Sequence, residues 1–330
     1  MAAYTTIDDP SAYFKVQLYT GNGSTNVITF DDTDTNMQPD VVWLKNRNSS
    51  GHDHFLFNSV NGAERFLSPN DNGALASADS SYLTSFNSDG FTLGSSDGMN
   101  ENTITFVSWN WKESATAGFD IVTYTGNGGT QNVSHSLSAV PELIFTKRLE
   151  SAQDWFVFTT ATGAQKAVFL NSNSAESSQA NAYDAAPTSS IINYGNDNGV
   201  NGSSETYTAF LWRSVQGFSK MGTYIGNNNA DGAYVHLGFR PAWLMIKRTD
   251  ASSSDWVIMD NKRLGYNPDF RINYANLANN EEAYPEIDWL ANGFKLRGAG
   301  ALTNDPNTYF YMAFAESPFV NSKGVPNNAR

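Results

Sequence analysis

The sequence contains no cysteine among its 330 residues, which excludes disulfides, thiolate metal centres and cysteine nucleophiles. Four histidines leave little material for a histidine-rich metal site. Basic residues are scarce: 20 Lys and Arg against 33 Asp and Glu give a formal charge of −13, so the phosphate attraction behind most nucleic-acid binding is missing. No window approaches the roughly 18 to 20 uninterrupted apolar residues of a helical membrane span. The start, MAAYTTIDDPSAYF, lacks the basic, apolar and small-residue order of a signal peptide. Together these absences predict a soluble chain, made in the cytoplasm and not exported through a leader, with no nucleic-acid partner and no membrane insertion.

What is present is a strong internal repeat. With 40% hydrophobic and 13% aromatic residues the chain carries enough apolar surface for a core. YTGNG from Tyr19 to Gly23 returns from Tyr124 to Gly128, and a degraded YIGNN follows from Tyr224 to Asn228. Pro39, Pro141 and Pro241 each open an apolar run ending on a lysine, as PDVVWLK, PELIFTK and PAWLMIK. Asp53, Asp154 and Asp255 lead DHFLF, DWFVF and DWVIM, and Trp109, Phe210 and Met312 align ahead of Trp111, Trp212 and Phe314. Four anchors in one order, about 100 residues apart, define three units. SATAG (114–118) and SVQG (214–217) are the short links between them. The expected division is an arm over 1–13, repeats over 14–115, 116–216 and 217–319, and a polar tail over 320–330.

Runs of Val, Ile, Thr, Tyr, Phe and Trp between Gly, Asn, Asp and Ser clusters have the form of strands. In the first unit they fall at 14–20, 26–30, 40–47, 53–59, 63–68, 81–86, 90–94 and 103–112. No capped segment with a 3.6-residue period is found, so little helix is expected. The run after each proline is apolar on both faces and reads as a central strand covered twice. Strand 103–112 alternates Val107, Trp109 and Trp111 with Ser108 and Asn110, and so predicts one buried and one wetter face. The fold class is all-β, three tandem antiparallel β-sandwich domains of jelly-roll or lectin-like type, with a closed barrel as the alternative.

Chemistry-bearing patterns are weak. DDTDTN (31–36) imitates the first ligands of a calcium loop, but Met37 stands where Gly is needed and Trp43 where a bidentate Glu is needed. No cofactor is expected; Ca2+ held by ligands from separate loops is left open, without a specific motif. His52 and His54 are two apart, yet His54 aligns with Trp155 and Trp256 and reads as a packing position. His135 and His236 read as surface or hydrogen-bonded groups. No GxSxG, GxxxxGK[ST], HExxH or GxGxxG string occurs. Glu281 with Glu282, or Glu286 with Asp288, would be a glycosidase carboxylate pair, but EEAYPEID reads first as an acidic surface stretch.

The recurring Lys45, Lys147 and Lys247 read first as strand-end lysines whose stems cover apolar surface and whose ammonium groups pair with the Asp that follows across a hairpin. The second reading makes these lysines, with Arg148 and Arg248, a binding site for acidic sugars or an acidic partner. In the YTGNG loops, Gly21, Gly23, Gly126 and Gly128 suit tight turns, and exposed Tyr, Asn and Asp there could stack on and bond to sugars.

The phrases TIDDPSAYF, YTGNG, PDVVWLKNR, FNSDGFTLGS, WNWK, GFRPAWLMIKRTD and YFYMAFAESPF resemble a repeat-containing family of tailed-phage virion proteins frequent in marine phages. The resemblance runs from about Thr6 to Phe319. It implies a virion surface component of lectin-like β-sandwich units, often labelled tail fibre or receptor-binding protein, and brings no catalytic residues. The second repeat departs from it, with SIINYG (190–195) in place of a GFxLG phrase. The expected function is therefore a non-enzymatic virion structural protein, first a capsid decoration or cement molecule and alternatively a tail fibre that recognises host polysaccharide. Other virion proteins of the capsid or tail, a homo-oligomer of trimeric form and a host glycan are the expected partners.

Overall fold

The computed structural model describes residues 3–30, 35–264, 266–300 and 302–327. Among them are 24 strands, two single-turn α-helices (Asp97–Asn100 and Asn198–Asn201) and one 3-10 turn (Pro10–Ala12). The fold is all-β, with every strand pairing antiparallel.

The first repeat forms a five-stranded sheet in the order Phe14–Thr20, Thr105–Trp111, Val41–Asn46, Phe55–Asn58, Gly62–Leu67. Opposite it lies a small sheet of Asn26–Thr29, Gly90–Leu93 and Leu83–Asn87. The second repeat keeps the order with Phe119–Thr125, Thr206–Trp212, Leu143–Arg148, Phe156–Thr159 and Lys166–Phe169, then adds Ser177–Ser178. Its small sheet pairs Gln131–Ser134 with Ile191–Tyr194, so SIINYG does supply a strand where the family phrase is missing. The third repeat repeats the order with Ser219–Ile225, Thr308–Pro318, Phe239–Arg248, Val257–Asp260 and Asp269–Tyr274. Here Glu282–Leu290 follows as a further paired strand and carries the sheet on to Gly293–Leu296 and Tyr234–His236.

Period-two geometry explains the doubly apolar strands. Val42 and Leu44 point into a local core with Ile28, Phe57, Leu83 and Phe91, between the two sheets of the first repeat. Their neighbours Val41 and Trp43 point the other way, into a cluster shared by the whole molecule. Leu143 and Phe145 against Ile144, and Trp243 and Met245 against Leu244 and Ile246, divide in the same manner. Each repeat thus has a sandwich core of its own and gives the outer face of its large sheet to a common centre. There Trp111 stands 5.5 Å from Trp243 and 6.5 Å from Trp212, ring to ring, and Phe14 stacks on Phe314 at 4.9 Å. The central cluster crosses the 115/116 and 216/217 boundaries, because faces of this size can be buried only against one another.

One expectation fails. Strand Thr105–Trp111 has no wet face: Ser108 and Asn110 are as buried as the tryptophans. The donors there are met inside the protein, with Asn110 Nδ2 donating to Ser108 Oγ at 2.9 Å and to the Lys15 carbonyl at 3.1 Å, and Ser108 Oγ to the Gln17 carbonyl at 3.4 Å.

Candidate functional site: the seams between repeats

The polar residues that recur in every repeat meet at the seams. Asp53 accepts from Asn70 Nδ2, and Asn70 Oδ1 accepts the backbone N–H of His54. Asp154, Asn171 and Trp155, then Asp255, Asn276 and Trp256, repeat the arrangement bond for bond. This clamp sets the ring that follows the Asp against the next repeat. Trp155 Nε1 donates to the Ser68 carbonyl of the first repeat at 2.9 Å, and Trp256 Nε1 to the Phe169 carbonyl of the second at 2.9 Å. His54 Nε2 reaches the Tyr274 carbonyl of the third at 2.9 Å. Backbone bonds run in the same sense, from Gly51 N–H to Ala278, from Gln153 to Asn72 and from Ser254 to Asn173. Return bonds run the other way, from Leu75 N–H to Leu149, from Glu176 to Thr249 and from Glu281 to Arg47, so each repeat is tied to both others and the three form a closed ring.

Lys45, Lys147 and Lys247 sit in these seams with no exposed surface. Lys45 Nζ donates to the His52 carbonyl at 2.8 Å and to Ala278 of the third repeat at 3.4 Å. Lys147 Nζ donates to Asn72 of the first repeat at 3.2 Å and to Arg148 at 3.1 Å, and Lys247 Nζ to Ser254 at 2.5 Å. The strand-end position is as expected, but the partners are carbonyl oxygens and not the following Asp, whose carboxylate is already held by the Asn clamp. Burial pushes each lysine down to about 8, with Asp53, Asp71 or Asp255 opposing the shift from a distance. Arg148 lies 3.9 Å from Glu205, and Arg248 pairs with Asp250 at 3.1 Å and Asp305 at 3.3 Å. The five residues weighed as a ligand site are therefore not brought into one cleft.

The seam between the third and first repeats carries the most charge. Arg263 and Asp260 form a wholly buried pair at 2.7 Å, Trp109 Nε1 donates to the same Asp260 oxygen at 3.0 Å, and the guanidinium lies over the Trp109 ring. Glu281 gathers Arg47 at 2.9 Å, Arg263 at 3.5 Å and Arg271 at 3.6 Å. Glu282 accepts from Tyr274, and Asp288 holds Arg297. EEAYPEID thus joins a seam to a paired strand in which Ala283 and Tyr284 remain on the surface while Ile287 and Asp288 are buried; the Glu286 side chain lies outside the described residues. A sequence reading has no signal for the Asp260–Arg263 pair, since the matching positions are Asn58 with Asn61 and Thr159 with Thr162. The Asp-to-Asn clamp could have been found from the Asn that follows each Asp at similar spacing.

Other candidates resolve as follows. Asp31 to Asp34 lie outside the described residues. His52 contributes its carbonyl to Lys45, and His54 is fully buried against Trp43. The YTGNG tyrosines are not exposed sugar platforms: Tyr19, Tyr124 and Tyr224 donate to the carbonyls of Met99, Val200 and Thr303 at 2.7, 2.5 and 2.6 Å. Asn100, Asn201 and Asn304 cap the same loops through the N–H groups of Asn22, Asn127 and Asn227. Glu113 is pushed up to about 7 by burial and by the neighbouring carboxylates of Asp120 and Asp40. Among the described residues no group of three or more His, Asp or Glu side chains is arranged to hold a metal. A void of about 10 Å³ lies at the centre among Trp43, Trp111, Trp212 and Trp243, and a half-open cavity of about 200 Å³ where the link at 214–217 meets the third repeat is lined by Ser214, Gln216, Ser219, Lys220 and His236.

These features define an all-β protein whose three fused repeats close around one aromatic centre. The chain belongs to the family described as a domain of unknown function (DUF7483), which matches residues 9–318 and so spans all three repeats. No curated protein matches it.

Proposed function

We propose that the chain is a non-enzymatic structural protein of a tailed-phage virion surface, acting as a capsid decoration or cement molecule. The observation that carries this reading is where the recurrent polar residues are used: the Lys, Asp and Asn that return in every repeat hold one repeat to the next or cap a loop. Such a ring is a rigid block with polar loops outside, suited to bracing a surface, and its excess of acid keeps particles apart. The resemblance of its repeat phrases to tailed-phage virion proteins is the second ground for the reading. Three repeats around one centre give a single chain the outline that a homotrimer would otherwise supply.

The test is localisation and copy number on purified particles, by quantitative mass spectrometry of virions combined with imaging of particles labelled at Lys323. Hundreds of copies spread over the head are expected. A few tens confined to the tail would replace this reading with an adsorption protein that recognises host glycan, and absence from particles would overturn both. Light scattering of the purified chain separates a monomer from the trimer expected from sequence.

A further inference from the structure

One strand position behaves differently in the third repeat. Strand pairing aligns Lys15, Asp120 and Lys220. In all three repeats this side chain reaches the loop ahead of the next strand: Lys15 Nζ donates to Thr35 at 2.9 Å, Asp120 accepts from Ser136 at 2.5 Å, and Lys220 Nζ donates to the His236 carbonyl at 2.7 Å. In the first two repeats the remaining capacity is used inside the protein. Lys15 has Asp89 at 3.8 Å and the Phe30 ring beneath it, and Asp120 has the Glu113 carboxyl beside it. In the third repeat the space beside Lys220 is the half-open cavity of about 200 Å³.

The groups around that cavity have donors to spare and few acceptors. Lys220 uses one of its three N–H bonds on His236. Tyr234 Oη donates to the Asn292 carbonyl at 3.4 Å and stands 3.2 Å from His236 Nδ1, and Gln216 is exposed at the rim with its amide. The serine hydroxyls are spent: Ser214 donates to Glu142 and accepts from Met221 N–H, while Ser219 donates to Arg213 and accepts from Val215 N–H. Glu142 is the acidic group that faces this corner, and its charge is tempered by the Ser214 N–H and hydroxyl. Burial lowers Lys220 from the usual lysine range, with the Glu142 charge opposing the shift.

We propose that this cavity binds an oxyanionic group, a carboxylate or sulfate of the kind carried by acidic saccharides, with Lys220 as the charge partner, Gln216 as a flanking donor and His236 in the wall. The site does not depend on whether the chain sits on head or tail. Its volume suits one charged group or one sugar ring, not an extended chain.

Calorimetric and His-resonance titrations of the full chain with sodium sulfate, sodium glucuronate and glucose, at matched ionic strength, test it. Saturable millimolar binding of sulfate and glucuronate is expected, with no response to glucose. Lys220→Gln should weaken both at least tenfold, and Gln216→Glu, on the exposed rim where folding is not at stake, should do the same. Glucuronate binding more tightly than sulfate assigns the site to a saccharide; equal affinity assigns it to free oxyanions. Failure of both anions to saturate, or unchanged binding in both variants, overturns the proposal.

Discussion

His54 Nε2 lies 2.9 Å from the Tyr274 carbonyl while its Nδ1 accepts from Trp43 Nε1 at 2.8 Å. Indole is a donor only, so Nδ1 must be the bare nitrogen and Nε2 must carry the proton. The imidazole therefore closes the seam between the first and third repeats as Trp155 and Trp256 close the other two, and it also satisfies an indole that has no counterpart elsewhere.

His54→Ala should cost about 3 kcal/mol in urea denaturation, from the cavity left and the two unpaired groups. His54→Trp alone strands the Trp43 N–H. The double variant Trp43→Phe with His54→Trp copies the Phe145 and Trp155 pair of the second repeat and should recover at least half of that loss. Additive single effects would show that the two positions are not coupled.

Burial holds His54 well below the usual histidine range. A depressed folded value means that this residue stabilises fully above about pH 6.5 and that the benefit is lost as pH falls toward the folded value. Acid unfolding should be less steep in the double variant, which lacks the imidazole.

The three seam lysines titrate at about 8 in the fold, below their value in the unfolded chain. Between pH 8 and 10 the unfolded chain binds more protons, so stability should rise with pH, by about 1 to 3 kcal/mol per lysine. Denaturant midpoints across that range check the sign. Lys147→Met should remove about a third of the slope.

Glu113 has the opposite sign. Its folded value is raised to about 7, so the stability it contributes is complete below about pH 4.5 and is lost as pH climbs through 7. Glu113→Gln should flatten that loss, by about 1 kcal/mol once partial exposure is discounted. An unchanged pH profile would place the titration elsewhere.

Gly126 has no room for a side chain: a Cβ would stand 2.3 Å from the Gly202 carbonyl oxygen. Gly126→Ala should cost about 3 kcal/mol or more, because backbone must move. Gly163, in open space with φ of +72°, should lose only about 1 kcal/mol on the same change. Thermal midpoints of the two variants make the comparison.

Much of this architecture is legible in the chain. PDVVWLK announces a strand buried on both sides, and the structure divides it as Val41 and Trp43 against Val42 and Leu44. The repeat anchors locate the strands to within a few residues. The second layer over Ser108 and Asn110 is not legible, since alternation reports polarity and not what another part of the chain will cover. Nor is the ring closure, whose recurrent ring donors bond to backbone oxygens that every residue carries. The cavity beside Lys220 shows only once three registers are compared, because lysine also occupies the matching position in the first repeat, where it is satisfied.

Three of the seam bonds place their specificity on one partner. The acceptors opposite His54, Trp155 and Trp256 belong to Tyr274, Ser68 and Phe169, three unrelated side chains, because only their carbonyls take part. A joint of this kind lets one side drift freely in composition while the other stays constrained, so copies of a repeat can diverge and still recognise one another.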